Sequence, residues 1–137
     1  MANDHDLEKY SRQIILNEIG PEGQKKIKRV SILVIGAGGL GSSVLQYLSA
    51  AGVGKIGIVD DDKVELSNLN RQLIYGENDL GKSKVDVAKN HISKSNPSIE
   101  IETFKIHIDE NNLPDIIDGY DLIADCSDNI ETRLSIN

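Results

Sequence analysis

The sequence predicts an α/β fold in which a mostly parallel sheet carries helices on both faces, preceded by two short N-terminal helices. Three observations point there: strand-length apolar runs alternate with stretches of helical periodicity, the first such run leads straight into a glycine cluster, and Gly and Pro stand where one periodicity gives way to the next. From Asp6 onward Leu7, Tyr10, Ile14 and Ile15 recur at helical spacing, and Gly20-Pro21 stops one helix and starts another, so the N-terminal helices end near Arg29. Val30 to Ile35 is mostly apolar, too short for a helix and closed by Gly36, as expected of a buried parallel strand. Gly39 to Ala51 puts Val44, Leu45, Leu48 and Ala51 on one helical face and ends at Gly52, while Lys55 to Asp60 reads as a second buried strand. Together they make a βαβ unit.

The connection from Asp61 to Leu80 is long for a compact domain, which marks it as a binding segment. Val85, Ala88 and Ile92 then share a helical face closed by Asn96-Pro97, and Ile99 to Ile108 alternates as a third strand, with a phase slip at Thr103-Phe104 that suggests a bulge. Leu113, Ile116 and Ile117 give one or two helical turns before Gly119, Asp121 to Asp125 makes strand four, and a last helix begins near Asn129. In a sheet of this kind ligands bind at the carboxyl ends of the strands.

A length of 137 residues allows one domain, and no apolar run approaches the ~20 residues of a membrane span. A formal net charge of −7 and a pI near 4.9 repel phosphate backbones and anionic lipid surfaces, so neither nucleic acid nor membrane is expected as a partner. The single cysteine, Cys126, can form neither an internal disulfide nor a multi-cysteine zinc site. The polar, acidic start from Met1 to Asp6 is unlike a signal peptide, so the expected location is cytoplasmic. His5, His91 and His107 have no metal-ligand spacing.

Gly36-Ala-Gly-Gly-Leu-Gly41 matches G-x-G-x-x-G between a predicted strand and a predicted helix, where missing side chains let backbone N–H groups approach a phosphate. A tight strand-helix turn is the plainer alternative. Asp60, 19 residues after Gly41, stands where a carboxylate accepts hydrogen bonds from ribose hydroxyls or caps its own loop, and Asp61 and Asp62 beside it leave the choice open. Gly76 to Ser83 also fits G-x-x-x-x-G-K-[ST], but Glu77 and Asp79 would put anions where phosphate must sit and no buried strand leads in, so it is not read as a cradle. Arg12, Asn68, Arg71, Gln72 and Lys84 add cations and amide donors. Taken singly, Arg12 pairs with Glu8 and Lys84 is a solvated helix residue; taken together, they suit a triphosphate better than a diphosphate. Asp128, with Glu131 three residues on, reads as a helix cap or as a hard oxygen ligand for Mg²⁺. Cys126 has no basic neighbour in sequence and reads as a small buried residue.

The ordered set Arg12-Gln13-Ile14, Gly36-x-Gly-Gly-Leu-Gly41, Asp60, Asn68-x-x-Arg71-Gln72, Lys84 and Asp125-Cys-x-Asp128-Asn129 resembles the ThiF/MoeB/HesA family, relatives of the ubiquitin-activating enzymes, from about Tyr10 to the last residue. The resemblance implies a Rossmann-like fold and ATP- and Mg²⁺-dependent adenylation of the C-terminal glycine carboxylate of a ubiquitin-like sulfur-carrier protein ending in Gly-Gly. It further implies that Gly36, Gly38, Gly39, Leu40 and Gly41 line the nucleotide site, that Asp60 holds the ribose with Asp62 nearby, and that Arg71 and Lys84 contact phosphates. Asn68 and Gln72 would support them, Asp128 would hold Mg²⁺, and Arg12 would reach the triphosphate of the opposite subunit of a homodimer.

Members of that family normally continue with further strands, a crossover loop over the carrier's tail and often paired C-x-x-C zinc ligands. None of these is in the sequence, so residues 1–137 are expected to be the truncated N-terminal portion of an ATP-binding adenylation domain, without the zinc site and with strand four uncovered on one edge. Two other functions fit part of the pattern: an NAD-dependent oxidoreductase, sharing the glycine loop and Asp60, and a catalytically incomplete nucleotide-binding or dimerisation module. Arg71, Lys84 and Asp128 distinguish the adenylating reading from the oxidoreductase.

Overall fold

Alternate residues of the first strand go to opposite faces of a sheet, and both faces are covered. In the computed structural model, which describes residues 4–137, β1 (Ser31–Ile35) sends Ile32 and Val34 to one face and Leu33 and Ile35 to the other. Burial on both sides is why the run reads as continuously apolar. On the first face α4 (Gly39–Ala51) and α5 (Lys84–Ser95) supply Leu45, Val85, Ala88 and Ile92; on the second, α6 (Leu113–Ile117) and α7 (Ile130–Ile136) supply Leu113 and Ile136. Leu45 is completely buried, and truncating such a residue to Ala typically costs about 2–5 kcal/mol.

The sheet has four parallel strands in the order β3-β2-β1-β4, with β2 at Lys55–Val59, β3 at Glu100–Phe104 and β4 at Leu122–Asp125. The chain builds outward from β1 through β2 to β3, then returns to the other side of β1 with β4. That reversal opens a crevice beyond the carboxyl ends of β1 and β4, where Gly36 and the Asp125–Asp128 segment emerge.

Three features differ from the expectation. The N-terminal segment folds as three short helices, α1 (Asp4–Lys9), α2 (Ser11–Ile14) and α3 (Gly20–Ile27), because Tyr10 leaves helical geometry to serve as an anchor. Its side chain is buried, its hydroxyl accepts from Asn96 Nδ2 at 2.9 Å, and its ring lies so close to Gly52 that a Cβ there would fall 2.6 Å from Cζ. Strand β3 stops at Phe104 rather than Ile108, since its partner β2 runs out at Val59; the phase slip marks the strand's end, and Ile106 and Ile108 pack against the second face from a loop. The Asp61–Leu80 connection holds two 3-10 turns, Leu66–Asn68 and Glu77–Asp79. Its second glycine motif folds back on itself: Asp79 accepts from Gly76 N at 2.9 Å, and Gly81 N donates to Val64 O at 2.9 Å.

Candidate functional site

The crevice is a cavity of about 410 Å³ walled by three segments far apart in sequence. The glycine loop contributes Gly36, Gly38, Gly39 and Leu40; the region after β2 contributes Asp60, Asp62, Asn68, Arg71, Gln72 and Lys84; the end of β4 contributes Cys126, Ser127 and Asp128, with Arg133 from α7. Two predicted residues, Gly41 and Arg12, are not on its wall.

The loop's shape follows from close packing. Gly36 has φ +94°, and a Cβ there would lie 2.7 Å from Cys126 O; one at Gly41 would lie 1.8 Å from Gly36 O, so Gly41 seats helix α4 against the strand from behind the cavity. Asp60 takes the loop-capping position: Oδ2 accepts from Ala37 N and Oδ1 from Asp62 N, each at 2.8 Å. Both oxygens keep a further lone pair. Tyr75, buried, donates its hydroxyl to Ala37 O at 2.7 Å, and burial first, then the Asp60 charge, pushes its phenol far above the usual range.

Three cations border this loop. Lys84 is buried, with Nζ 3.5 Å from Asp62 Oδ2. Arg71 donates from Nη1 to Ser67 O (3.0 Å) and Asn70 Oδ1 (3.1 Å), and its stem lies across Gly39, whose Cβ would meet Cδ at 3.6 Å. Arg133 donates from Nε and Nη2 to Ser127 O at 3.2 and 2.9 Å. Asn68 uses its Oδ1 within its own loop, accepting from Glu65 N at 2.9 Å, and it also lines the cavity. Gln72 Oε1 is buried without a hydrogen-bond partner among the described residues. Such an orphaned acceptor on a cavity wall fits a site whose donor arrives with a ligand.

On the acidic side, Asn129 caps α7, its Oδ1 accepting from Thr132 N at 2.7 Å; the cap is therefore one residue beyond Asp128. Asp128 is exposed on the cavity wall and makes no hydrogen bond or ion pair among the described residues. Asp60, Asp61 and Asp62 also bring carboxylate oxygens within 4.8 Å of one another. Cys126 is half-buried, and burial together with Asp125 pushes its thiol up, away from the nucleophilic thiolate.

Arg12 sits exposed on α2, which is tied to the far end of α4: Gln13 and Gln24 donate to Ala51 O at 2.9 and 3.0 Å. It forms no ion pair with Glu8 among the described residues. The 13 residues of α4 span ~20 Å, so within one chain Arg12 is a helix length from the glycine loop. Sequence reasoning missed Tyr75 and Arg133. Arg133 carried a weak signal, a cation just inside the helix that follows the Asp125–Asp128 loop; Tyr75 carried none.

Comparison with known proteins matches residues 10–137 to the ThiF family. The sulfur carrier protein adenylyltransferase of Thermus thermophilus is 47% identical over 132 residues, 96% of this chain and 49% of that protein. The SAMP-activating enzyme E1 of Haloferax volcanii is 42% identical over 131 residues, 96% of this chain and 48% of that protein. Adenylyltransferase and sulfurtransferase MOCS3 of Culex quinquefasciatus is 47% identical over 135 residues, 98% of this chain and 31% of that protein. The chain thus spans half or less of the length of these relatives. Among solved structures, E. coli tRNA N6-threonylcarbamoyladenosine dehydratase TcdA in complex with ATP shares the fold, with a TM-score of 0.92 at 23% identity over 99% of this chain and 56% of that one. E. coli MccB with AMPCPP and MccA gives a TM-score of 0.83 at 28% identity over 94% of this chain and 40% of that one. A match running from Tyr10 to the last residue, at such identities to its relatives, makes this chain a member of the ThiF family.

Proposed function

We propose that the chain supplies the ATP site of an adenylyltransferase that joins the C-terminal glycine carboxylate of a ubiquitin-like sulfur-carrier protein to AMP and releases pyrophosphate. The observation that carries this reading is the gathering of Lys84, Arg71 and Arg133 on the wall of one cavity with the glycine loop, in a protein of net charge −7. A dinucleotide's diphosphate is largely satisfied by a glycine loop and helix start; a triphosphate attacked by another anion needs this added positive charge. The names of the relatives support the substrate class, a sulfur carrier protein, and the family resemblance adds the expectation of a Gly-Gly end.

The chemistry needs no general base. A terminal carboxylate with a pKa of ~3.5 is ionised at neutral pH and attacks the α-phosphorus directly; a carboxyl-oxygen-to-phosphorus bond forms as the bond to the β-phosphate oxygen breaks, and no proton moves. The amides at the start of α4 would hold phosphate oxygens, the remaining lone pairs of Asp60 the ribose hydroxyls, and Lys84, Arg71 and Arg133 would offset the repulsion between the two anions. Mg²⁺, which binds through one or two carboxylates and substrate phosphates, suits an exposed Asp128 on the wall, with Asp62 nearby; when bound it neutralises phosphate charge. Arg12, too distant within its own chain, would act from the second subunit of a homodimer.

Thermal shift with ATP·Mg against NAD tests the nucleotide, because a ligand that prefers the native state raises the melting temperature. ATP·Mg is expected to raise it and NAD is not; the reverse result makes the oxidoreductase reading correct. Carrier-dependent exchange of pyrophosphate into ATP tests the reaction, and ATP binding without exchange would leave a nucleotide-binding module.

A further inference from the structure

We infer that Tyr75 is a positioning residue for the glycine loop: its buried hydroxyl and the Asp60 carboxylate hold Ala37 from its two ends and aim the Gly38 N–H at the cavity. The inference deepens the ATP reading and rests on it for its affinity readout. Ala37 N donates to Asp60 at 2.8 Å, and Ala37 O accepts from Tyr75 at 2.7 Å. In a planar trans peptide the carbonyl and the next N–H point opposite ways, so a carbonyl fixed on Tyr75 turns the Gly38 N–H away from Tyr75. That N–H has no hydrogen-bond partner among the described residues, and Gly38 lines the cavity. The following peptide is fixed too, since Ser42 N donates to Gly38 O at 2.8 Å, which sets the Gly39 N–H in the same manner. Without the Tyr75 hydroxyl, the Ala37–Gly38 peptide loses its anchor.

Tyr75 also joins the two walls of the cavity. Its backbone N–H donates to Gln72 O at 3.2 Å, and the Gln72 side chain lies against Gly38, where a Cβ would meet Nε2 at 3.7 Å. Tyr75 therefore ties the Arg71-Gln72 segment to the glycine loop by a hydrogen bond, alongside the packing of Arg71 on Gly39 and Gln72 on Gly38. A packing role alone would be met by a phenyl ring, because the hydroxyl adds only the bond to Ala37.

Tyr75→Phe removes that oxygen. In the nucleotide-free protein the Gly38 amide resonance is expected to shift and its hydrogen exchange to quicken, and the Kd for ATP·Mg is expected to rise about tenfold. Ile92→Val, a core truncation far from the loop, should lower the melting temperature and leave the Kd within about twofold. If Tyr75→Phe does not fold, Tyr75→Met, also without a donor, takes its place. A donorless variant with an unmoved Gly38 amide, or with the parental Kd, overturns the inference. A parent protein that binds no ATP·Mg refutes the nucleotide reading instead, and the Gly38 amide still decides the role of Tyr75.

Discussion

The Lys84 ammonium and the Asp62 carboxylate stand 3.5 Å apart at the edge of the cavity, the first buried and the second open to water. The chain itself sets this meeting, since Lys84 N donates to Asp62 O at 3.1 Å and Asp62 N is held by Asp60. A buried ammonium with one loose carboxylate is poised to take a second anion, and a phosphate oxygen is the anion the neighbouring glycine loop suits. Lys84→Met keeps the buried stem and removes the charge. It should leave the fold intact and lower pyrophosphate exchange by about 10²–10³-fold, the usual effect of deleting one charge-stabilising donor.

Arg71 and Asp128 enter the cavity from different segments, one lying over Gly39 and one at the end of β4, and the proposed reaction needs both. Arg71→Ala and Asp128→Ala should each abolish carrier-dependent exchange of pyrophosphate into ATP while circular dichroism stays parental. Near-normal exchange in both variants would falsify the assignment of the site.

The glycines separate folding from binding. A methyl group at Gly41 would lie 1.8 Å from the Gly36 carbonyl oxygen, which is backbone and cannot yield, so Gly41→Ala should unfold the protein or lower its melting temperature severely. At Gly39 the nearest atom is Arg71 Cδ at 3.6 Å, an ordinary contact, so Gly39→Ala should melt near the parental temperature and lose ATP affinity, because the methyl group occupies cavity wall. Melting and ATP titration of the two variants check the contrast.

What could be read in the sequence follows from how far each residue's partner lies. Strands β1 and β2 were legible because burial on both faces leaves a continuous apolar run, and the glycine loop because its spacing is set locally between a strand and a helix. That Lys84 and Asp128 line one cavity was suggested only by their place in an ordered set. The break at Tyr10 was hidden because its partner, Asn96, is 86 positions away, and the place of Tyr75 was hidden because its acceptor is 38 positions upstream. The end of β3 depended on the length of β2, which no local pattern within Ile99–Ile108 records.

Acid should destabilise the fold through named carboxylates. Glu102 accepts from Tyr120 Oη at 2.5 Å and faces Lys55 Nζ at 3.1 Å; the Tyr120 hydrogen bond first and Lys55 second hold it below the ordinary carboxyl value of 4.5. Lys28 does the same for Asp6, and the Ser31 N–H and hydroxyl for Asp121. A carboxyl with a lowered folded-state pKa stabilises the native state wherever it is ionised, so this contribution is full above its unfolded value and fades as pH falls through the folded one. The melting temperature should therefore drop on acidification below about pH 4.5, and Glu102→Gln should make that drop shallower. An unchanged acid limb in Glu102→Gln would remove Glu102 from the set.

Arg12 offers a test of assembly that no single-site variant can give. Its helix is pinned to Ala51 at the end of α4 remote from the glycine loop, and an arginine side chain cannot cover a ~20 Å helix length. If Arg12 acts at all, it acts on another copy's cavity. Arg12→Ala and Lys84→Met should each be inactive alone, yet a mixed dimer holds one cavity with an intact Lys84 and an intact Arg12 from the other subunit. Random mixing of equal amounts should restore about a quarter of parental exchange, since half the dimers are mixed and each has one of two sites complete. Activity that stays at background after unfolding and refolding the two variants together would place Arg12 outside the reaction, and full activity of Arg12→Ala by itself would do so more directly.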